Sequence, residues 1–111
     1  MARILVVDDQ KNMRTTLSIM LRSAGHDVAE AKDGGDACEA VDDEVYDLVI
    51  TDLRMGKVDG IDVLRHVREV SPLTEIIVMT AYGTIETAVE AMRLGAWDYI
   101  QKPFTEDELF I

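Results

Sequence analysis

Cysteine occurs once in these 111 residues, as Cys38, which excludes a disulfide framework and a cysteine-rich zinc site. Basic residues are outnumbered, 11 against 22 acids, for a formal net charge of −11. A surface that grips nucleic acid or an anionic membrane needs a basic stripe, so direct binding to either is not expected. No apolar run approaches the roughly 20 residues that span a bilayer. Met1-Ala2-Arg3 leads straight into a strand-like run, so no signal peptide is read and a cytoplasmic protein is the expectation. Linkers, repeats and low-complexity stretches are also missing. No internal boundary is placed, and residues 1–111 read as a single domain.

What is present is a core. Hydrophobic residues make up 48% of the chain, which no disordered acidic tail carries. Ile4 to Val7 is apolar at every position, the mark of a strand buried on both faces of a parallel sheet. Lys11 to Ala24 puts Met13, Leu17, Met20, Leu21 and Ala24 on one helical face, with Gly25 as the stop. Asp27 to Ala31 alternates as an edge strand does, and after an Asp33-Gly34 turn a short helix carries Ala37, Ala40 and Val41. Leu48 to Thr51 is a third strand; Val63, Leu64, Val67 and Val70 line a helix that Pro72 ends. Ile76 to Thr80 is a fourth strand. Thr84 then caps a helix that stacks Ile85, Ala88, Val89 and Met92 before Gly95. Asp98 to Gln101 is a fifth strand, and Thr105 with Glu108 is a capping-box pattern opening a fifth helix. Strict alternation predicts a doubly wound α/β sheet with right-handed crossovers.

Such sheets collect ligands at the carboxyl ends of their strands. The residues there are Asp8 and Asp9, then Asp52, Thr80 and Lys102. Each alone has an ordinary reading: a solvated turn ahead of a helix, a strand-end cap, a β-branched strand residue, a surface charge. Together they form a set of oxygen ligands with one hydroxyl and one ammonium. Clustered carboxylates repel unless something positive joins them, and an all-oxygen set favours a hard cation, Mg²⁺ before others. Such a cleft can hold a phosphoryl group, and a central Asp can serve as a nucleophile that forms an acyl phosphate.

At these residues the chain resembles a known family. Asp8-Asp9, Asp52, Thr80-Ala81 and Lys102-Pro103-Phe104, in that order, are similar to the receiver domain of two-component response regulators over essentially the whole length. The resemblance implies a flavodoxin-like, five-stranded parallel sheet in the order 2-1-3-4-5. It implies Asp52 as phosphoacceptor, charged by a sensor histidine kinase or a small phospho-donor. Asp9, Asp52 and the backbone carbonyl of Arg54 would ligate Mg²⁺, with Asp8 acting largely through water. Lys102 would pair with one phosphate oxygen, and Thr80 with the Ala81 amide would bind another. The family also typically has a cis peptide at Lys102-Pro103. The stretch from Thr80-Ala81-Tyr82-Gly83-Thr84 through Gly95-Ala96-Trp97-Asp98-Tyr99-Ile100 is similar to receivers of nitrogen-regulation type, which precede an ATPase module that activates sigma-54 polymerase. The function implied is signalling towards an output domain or partner, with transcription regulation as the outcome. No enzymatic turnover is expected beyond the domain's own phosphorylation and dephosphorylation. A homodimer on phosphorylation is left open.

Further expectations follow from the same resemblance. Thr80 is expected to move towards the phosphoryl group and Tyr99 to turn inward behind it, changing the face made by the fourth helix, fifth strand and fifth helix. Arg54 and Tyr82, each two residues beyond a site residue, are expected to flank attacking water and slow self-dephosphorylation. Gly56 stands where the family usually has proline, and Val58 where methionine is common, which predicts a looser loop after Asp52. Thr105 to Ile111 leaves under two turns for the last helix, so a receiver cut from a longer protein is expected. Cys38 reads as a small core residue, His26 and His66 as surface residues, and Trp97 as packing or an edge of the output face. A haloacid-dehalogenase-type phosphohydrolase is the competing enzyme reading. Its nucleophile follows the first strand, however, and here the lone Asp follows the third. A module with a degenerate site is a third reading, disfavoured because no member of the set is missing.

Overall fold

The computed structural model describes residues 1–81 and 83–102. Tyr82 and the whole segment from Pro103 onward lie outside the described residues, and with them the fifth helix expected from Thr105 and the expected cis Lys102-Pro103 bond. Five strands, β1 (Arg3–Val7), β2 (Asp27–Ala31), β3 (Leu48–Thr51), β4 (Glu75–Thr80) and β5 (Asp98–Gln101), alternate with α1 (Lys11–Ser23), α2 (Gly34–Asp43), α3 (Gly60–Val70) and α4 (Ile85–Arg93). All pairings are parallel and the order is β2-β1-β3-β4-β5, as the resemblance implied. β1 and β4 each start one residue earlier than the apolar pattern marked, because Arg3 and Glu75 join the ladders without burying their side chains.

Side-chain alternation divides the sheet's burial into two layers. Leu5, Val7, Val49, Ile76 and Val78 meet Ala37, Val41, Val63, Leu64 and Val67 from α2 and α3. On the opposite face Ile4, Val6, Ile50, Ile77, Met79 and Ile100 meet Leu17 and Leu21 of α1. Each fully buried aliphatic side chain is worth about 1.5–3 kcal/mol, so this two-sided burial holds the strand ends in place. α4 departs from its expected packing. Ala91 is its buried residue, while Ile85, Val89 and Met92 are 85%, 49% and 48% exposed. A helical period reports an apolar stripe but not the side on which the sheet lies; here the small alanine sits against the core and the larger stripe faces out.

Caps fix where the helices begin. Asp59 accepts from the Asp62 amide at 2.9 Å and Asp62 accepts from the Asp59 amide at 3.0 Å, a capping box that starts α3. Thr84 and Thr87 do the same for α4, confirming the cap read from sequence. The first residue of α3 comes unusually close to the site-bearing strand. The Gly60 amide donates to the Leu53 carbonyl at 2.8 Å, and a Cβ on Gly60 would lie 2.3 Å from the Asp52 carbonyl oxygen. Gly60→Ala must therefore displace α3 or the Asp52 peptide and should cost about 1–3 kcal/mol. Gly35→Ala, in the first turn of α2 with nothing nearer than Asp33 Oδ1 at 3.5 Å, should gain about 0.4–1 kcal/mol. Urea unfolding of the two variants checks this; equal stabilities would refute the close-contact reading.

Candidate functional site

The carboxyl ends of β1, β3, β4 and β5 converge because the four strands are neighbours in the sheet. The Asp52 amide donates to the Val7 carbonyl at 2.9 Å and the Lys102 amide to the Thr80 carbonyl at 2.9 Å, extending the ladders past the last strand residues. Asp8, Asp9 and Asp52 thereby offer carboxylate oxygens that all lie within 4.8 Å of one another. Asp8 and Asp52 are buried, and Asp9 is exposed at the mouth.

Every polar group of Asp8 is engaged. Its amide donates to the Ala31 carbonyl at 3.2 Å, Oδ1 accepts from the Gln10 amide at 2.9 Å, and Oδ2 accepts from Lys102 Nζ at 2.8 Å. The same ammonium stands 3.5 Å from Asp52 Oδ2, while Asp52 Oδ1 accepts from the Leu53 amide at 2.7 Å. Lys102, its side chain 10% exposed, is thus the cation shared by two buried anions. It does not neutralise both. Burial pushes the Asp52 carboxyl above its ordinary range and the Asp8 charge adds to this; Lys102, the Leu53 amide and the Thr80 side chain pull it back only in part.

All five strand-end residues predicted from sequence are brought to this place. Thr80 is buried with its side chain favouring the ionised Asp52, and Ala81 follows it on an exposed bend. Arg54 is exposed on the loop beyond Asp52. Tyr99 stands on β5 opposite Val78, on the Thr80 side of the sheet, with Oη 3.0 Å from Thr87 Oγ1 on α4. Tyr82 lies outside the described residues. Gly56 takes φ +88°, which a proline ring forbids, so the loop follows a different turn from the one proline would set. Cys38 is half-buried, and burial with the nearby Asp42 and Asp62 charges pushes its thiol up, which suits a packing role. His66 Nε2 pairs with Asp42 at 2.8 Å, and His26 Nδ1 accepts from the Ala2 amide at 3.0 Å; both are far in sequence from the site residues. Two contributors escaped the sequence reading. The Leu53 amide carries no side-chain signal, and Arg14, whose guanidinium reaches Asp8, looks like any surface base on α1.

The donor set is all oxygen and short of positive charge, which fits a hard divalent cation at Asp8, Asp9 and Asp52. The upward shift of Asp52 has a sign that can be measured. Its folded state holds the proton to higher pH than the unfolded chain does, so stability is lost as pH rises through that window and stays lost above it. Asp52→Asn should therefore raise Tm at pH 7 in metal-free buffer, and the gain should shrink as pH falls into the ordinary carboxylate range. A lower Tm for the variant at pH 7 would contradict the charge balance described.

Comparison with known proteins agrees with this geometry. Residues 4–111 match the family described as response regulator receiver domain. The transcriptional regulatory protein ZraR of Escherichia coli (strain K12) is 45% identical over 106 residues, covering 96% of this chain and 24% of that protein. The regulatory protein AtoC of the same organism is 45% identical over 107 residues, covering 96% and 23%. The chain therefore spans about a quarter of the length of the curated relatives it matches. Among solved structures, a receiver domain protein from Clostridium thermocellum superposes with a TM-score of 0.93 at 32% identity, over 98% of this chain and 88% of that one. NtrX from Brucella abortus does so with a TM-score of 0.89 at 36% identity, over 97% and 25%. No helix among the described residues is long and apolar enough to cross a membrane. With its sheet order, its acidic cluster and its matched length in agreement, the chain belongs to the response regulator receiver domain family.

Proposed function

We propose that this domain receives a phosphoryl group on Asp52 from a sensor histidine kinase and passes the change to an output domain or partner that regulates transcription. The observation that carries this is a buried Asp52 beside Asp8, Asp9, Thr80 and Lys102 at one end of the sheet. Receiver domains are signalling domains, and the chemistry assigned to this one is its own phosphorylation and dephosphorylation. Asp9, Asp52 and the Arg54 carbonyl would hold Mg²⁺, with Asp8 beside them. The cation supplies charge neutralisation where phosphate oxygens meet carboxylates. Lys102 favours the ionised, nucleophilic form of Asp52. Asp52 forms the new P–O bond as the donor's P–N bond breaks, and Lys102, Thr80 and the Ala81 amide take the phosphoryl oxygens. Arg54 beside the site, and Tyr82, slow the approach of water to the acyl phosphate.

The relatives' names as transcriptional regulatory proteins support an output of that kind, and the nitrogen-regulation resemblance points to a sigma-54-activating ATPase module as its form. The outward stripe of Ile85, Val89 and Met92 on α4, with Trp97 65% exposed ahead of β5, supports this side as the surface that partners or a second phosphorylated copy read. The net charge of −11 supports a protein partner over direct contact with nucleic acid or membrane.

Incubation with Mg²⁺ and acetyl phosphate should add one phosphoryl group, seen by intact-mass measurement. Asp52→Asn or chelator should abolish it, and Arg54→Ala should shorten its lifetime. Retained labelling in Asp52→Asn would refute the assignment. Tyr99 is the proposed switch: phosphorylation draws Thr80 towards the site and Tyr99 follows, leaving Thr87. Ring resonances of Tyr99 should shift on adding a beryllofluoride mimic, and Thr87→Val should make the starting state resemble the mimic-bound one. Identical Tyr99 spectra with and without the mimic would remove it from the mechanism.

A further inference from the structure

Asp9 is the exposed acid of the cluster, and what aims it lies outside the acidic set. The Asp8 carbonyl belongs to the peptide unit that joins Asp8 to Asp9, so its direction sets the plane from which the Asp9 side chain departs. That carbonyl has left the sheet: the β1–β2 register ends at Val7 and Ala31, and the β3 side closes with the Asp52 amide on the Val7 carbonyl. Arg14 supplies the missing donor. It sits in the first turn of α1, where side chains lean back towards the helix N-terminus, and its Nη1 donates to the Asp8 carbonyl at 2.8 Å. The guanidinium is itself anchored, Nε donating to Glu30 Oε1 on β2 at 3.1 Å, with the Arg14 side chain only 16% exposed. One planar fork therefore ties the end of β1 to the edge strand.

We infer that Arg14, braced by Glu30, is a positioning residue for the cation site: it fixes the Asp8–Asp9 peptide so that the Asp9 carboxylate faces Asp52 before the ion arrives. This rests on the Mg²⁺ reading proposed above. Partners that orient ligands commonly control about 10–100-fold in metal affinity. The inference has a sign of its own. Arg14 is a cation near a cation site, so by charge alone its removal should tighten Mg²⁺ binding. By positioning, its removal should weaken it.

Mg²⁺ titration followed by the amide NMR shifts of Asp9 and Leu53 separates the two. Arg14→Met should raise the Mg²⁺ dissociation constant about tenfold. Arg14→Lys keeps the charge but cannot bridge Glu30 and the carbonyl with one planar group, so it should weaken binding as well. Arg22→Gln, which touches Glu30 from the other side and does not reach Asp8, should leave it unchanged. Tm in metal-free buffer reports folding, and if Arg14→Met does not fold, Arg14→Lys carries the same test. At saturating Mg²⁺ the acetyl phosphate labelling rate should return to within about twofold of wild type. Unchanged or tighter Mg²⁺ binding in the folded Arg14 variants would overturn this inference and leave the proposed function standing. A wild-type protein that takes up no Mg²⁺ would sink both.

Discussion

Lys102 brings one positive charge to two buried negative ones, and much of the molecule's design follows from that shortfall. Asp8 and Asp52 are taken out of water by the same aliphatic strands that fix their positions. Desolvation of two like charges is unfavourable unless a counter-charge and donors come with them. The ammonium sits nearer to Asp8, at 2.8 Å, than to Asp52, at 3.5 Å, so Asp52 is left under-compensated. An anion in that condition rewards any further positive charge. The deficit therefore gives the site an appetite for a divalent cation, and a fully neutralised cluster would be more stable and less receptive.

The strands were legible in the sequence because an apolar residue at every position admits few alternatives. Ile4 to Val7, Leu48 to Thr51 and Ile76 to Thr80 each have to be covered on both faces, and a parallel sheet wrapped by helices does that. The site was legible for a related reason: parallel strands of one sheet end on one side, so the residues following each run must assemble. Contacts that depend on direction rather than period were not legible. α4 carries two apolar sets, and nothing in their spacing says that Ala91 and not Ile85 meets the core. Arg14 and the Asp59–Asp62 box likewise need the turn geometry before their partners can be named.

The acid excess also separates into different physical roles. Asp8, Asp9 and Asp52 create charge repulsion that the fold retains. Asp33, Asp59 and Asp62 relieve unpaired amides at helix starts, where a carboxylate also meets the positive end of the helix dipole. Glu30 and Glu90 anchor arginines between elements, Arg14 to β2 and Arg65 on α3 to α4. A net charge of −11 is therefore not a uniform coat, and only its site component bears on the phosphoryl chemistry.

The loop after Asp52 brings these constraints together. Its first residue, Leu53, gives its amide to Asp52 Oδ1 and its carbonyl to the Gly60 amide, so both ends of the loop are tied to the acid's own strand. Between them Gly56 turns with φ +88°. A proline there would keep φ near −65° and force a different path between the same two anchors. Leu53 and Met55 are buried while Arg54 between them is exposed, as a loop pinned by alternate side chains requires. Glycine in place of the family's usual proline therefore allows a turn between those anchors that proline could not make. Arg54 is thereby presented to solvent between two apolar anchors, in a short loop with one left-handed turn.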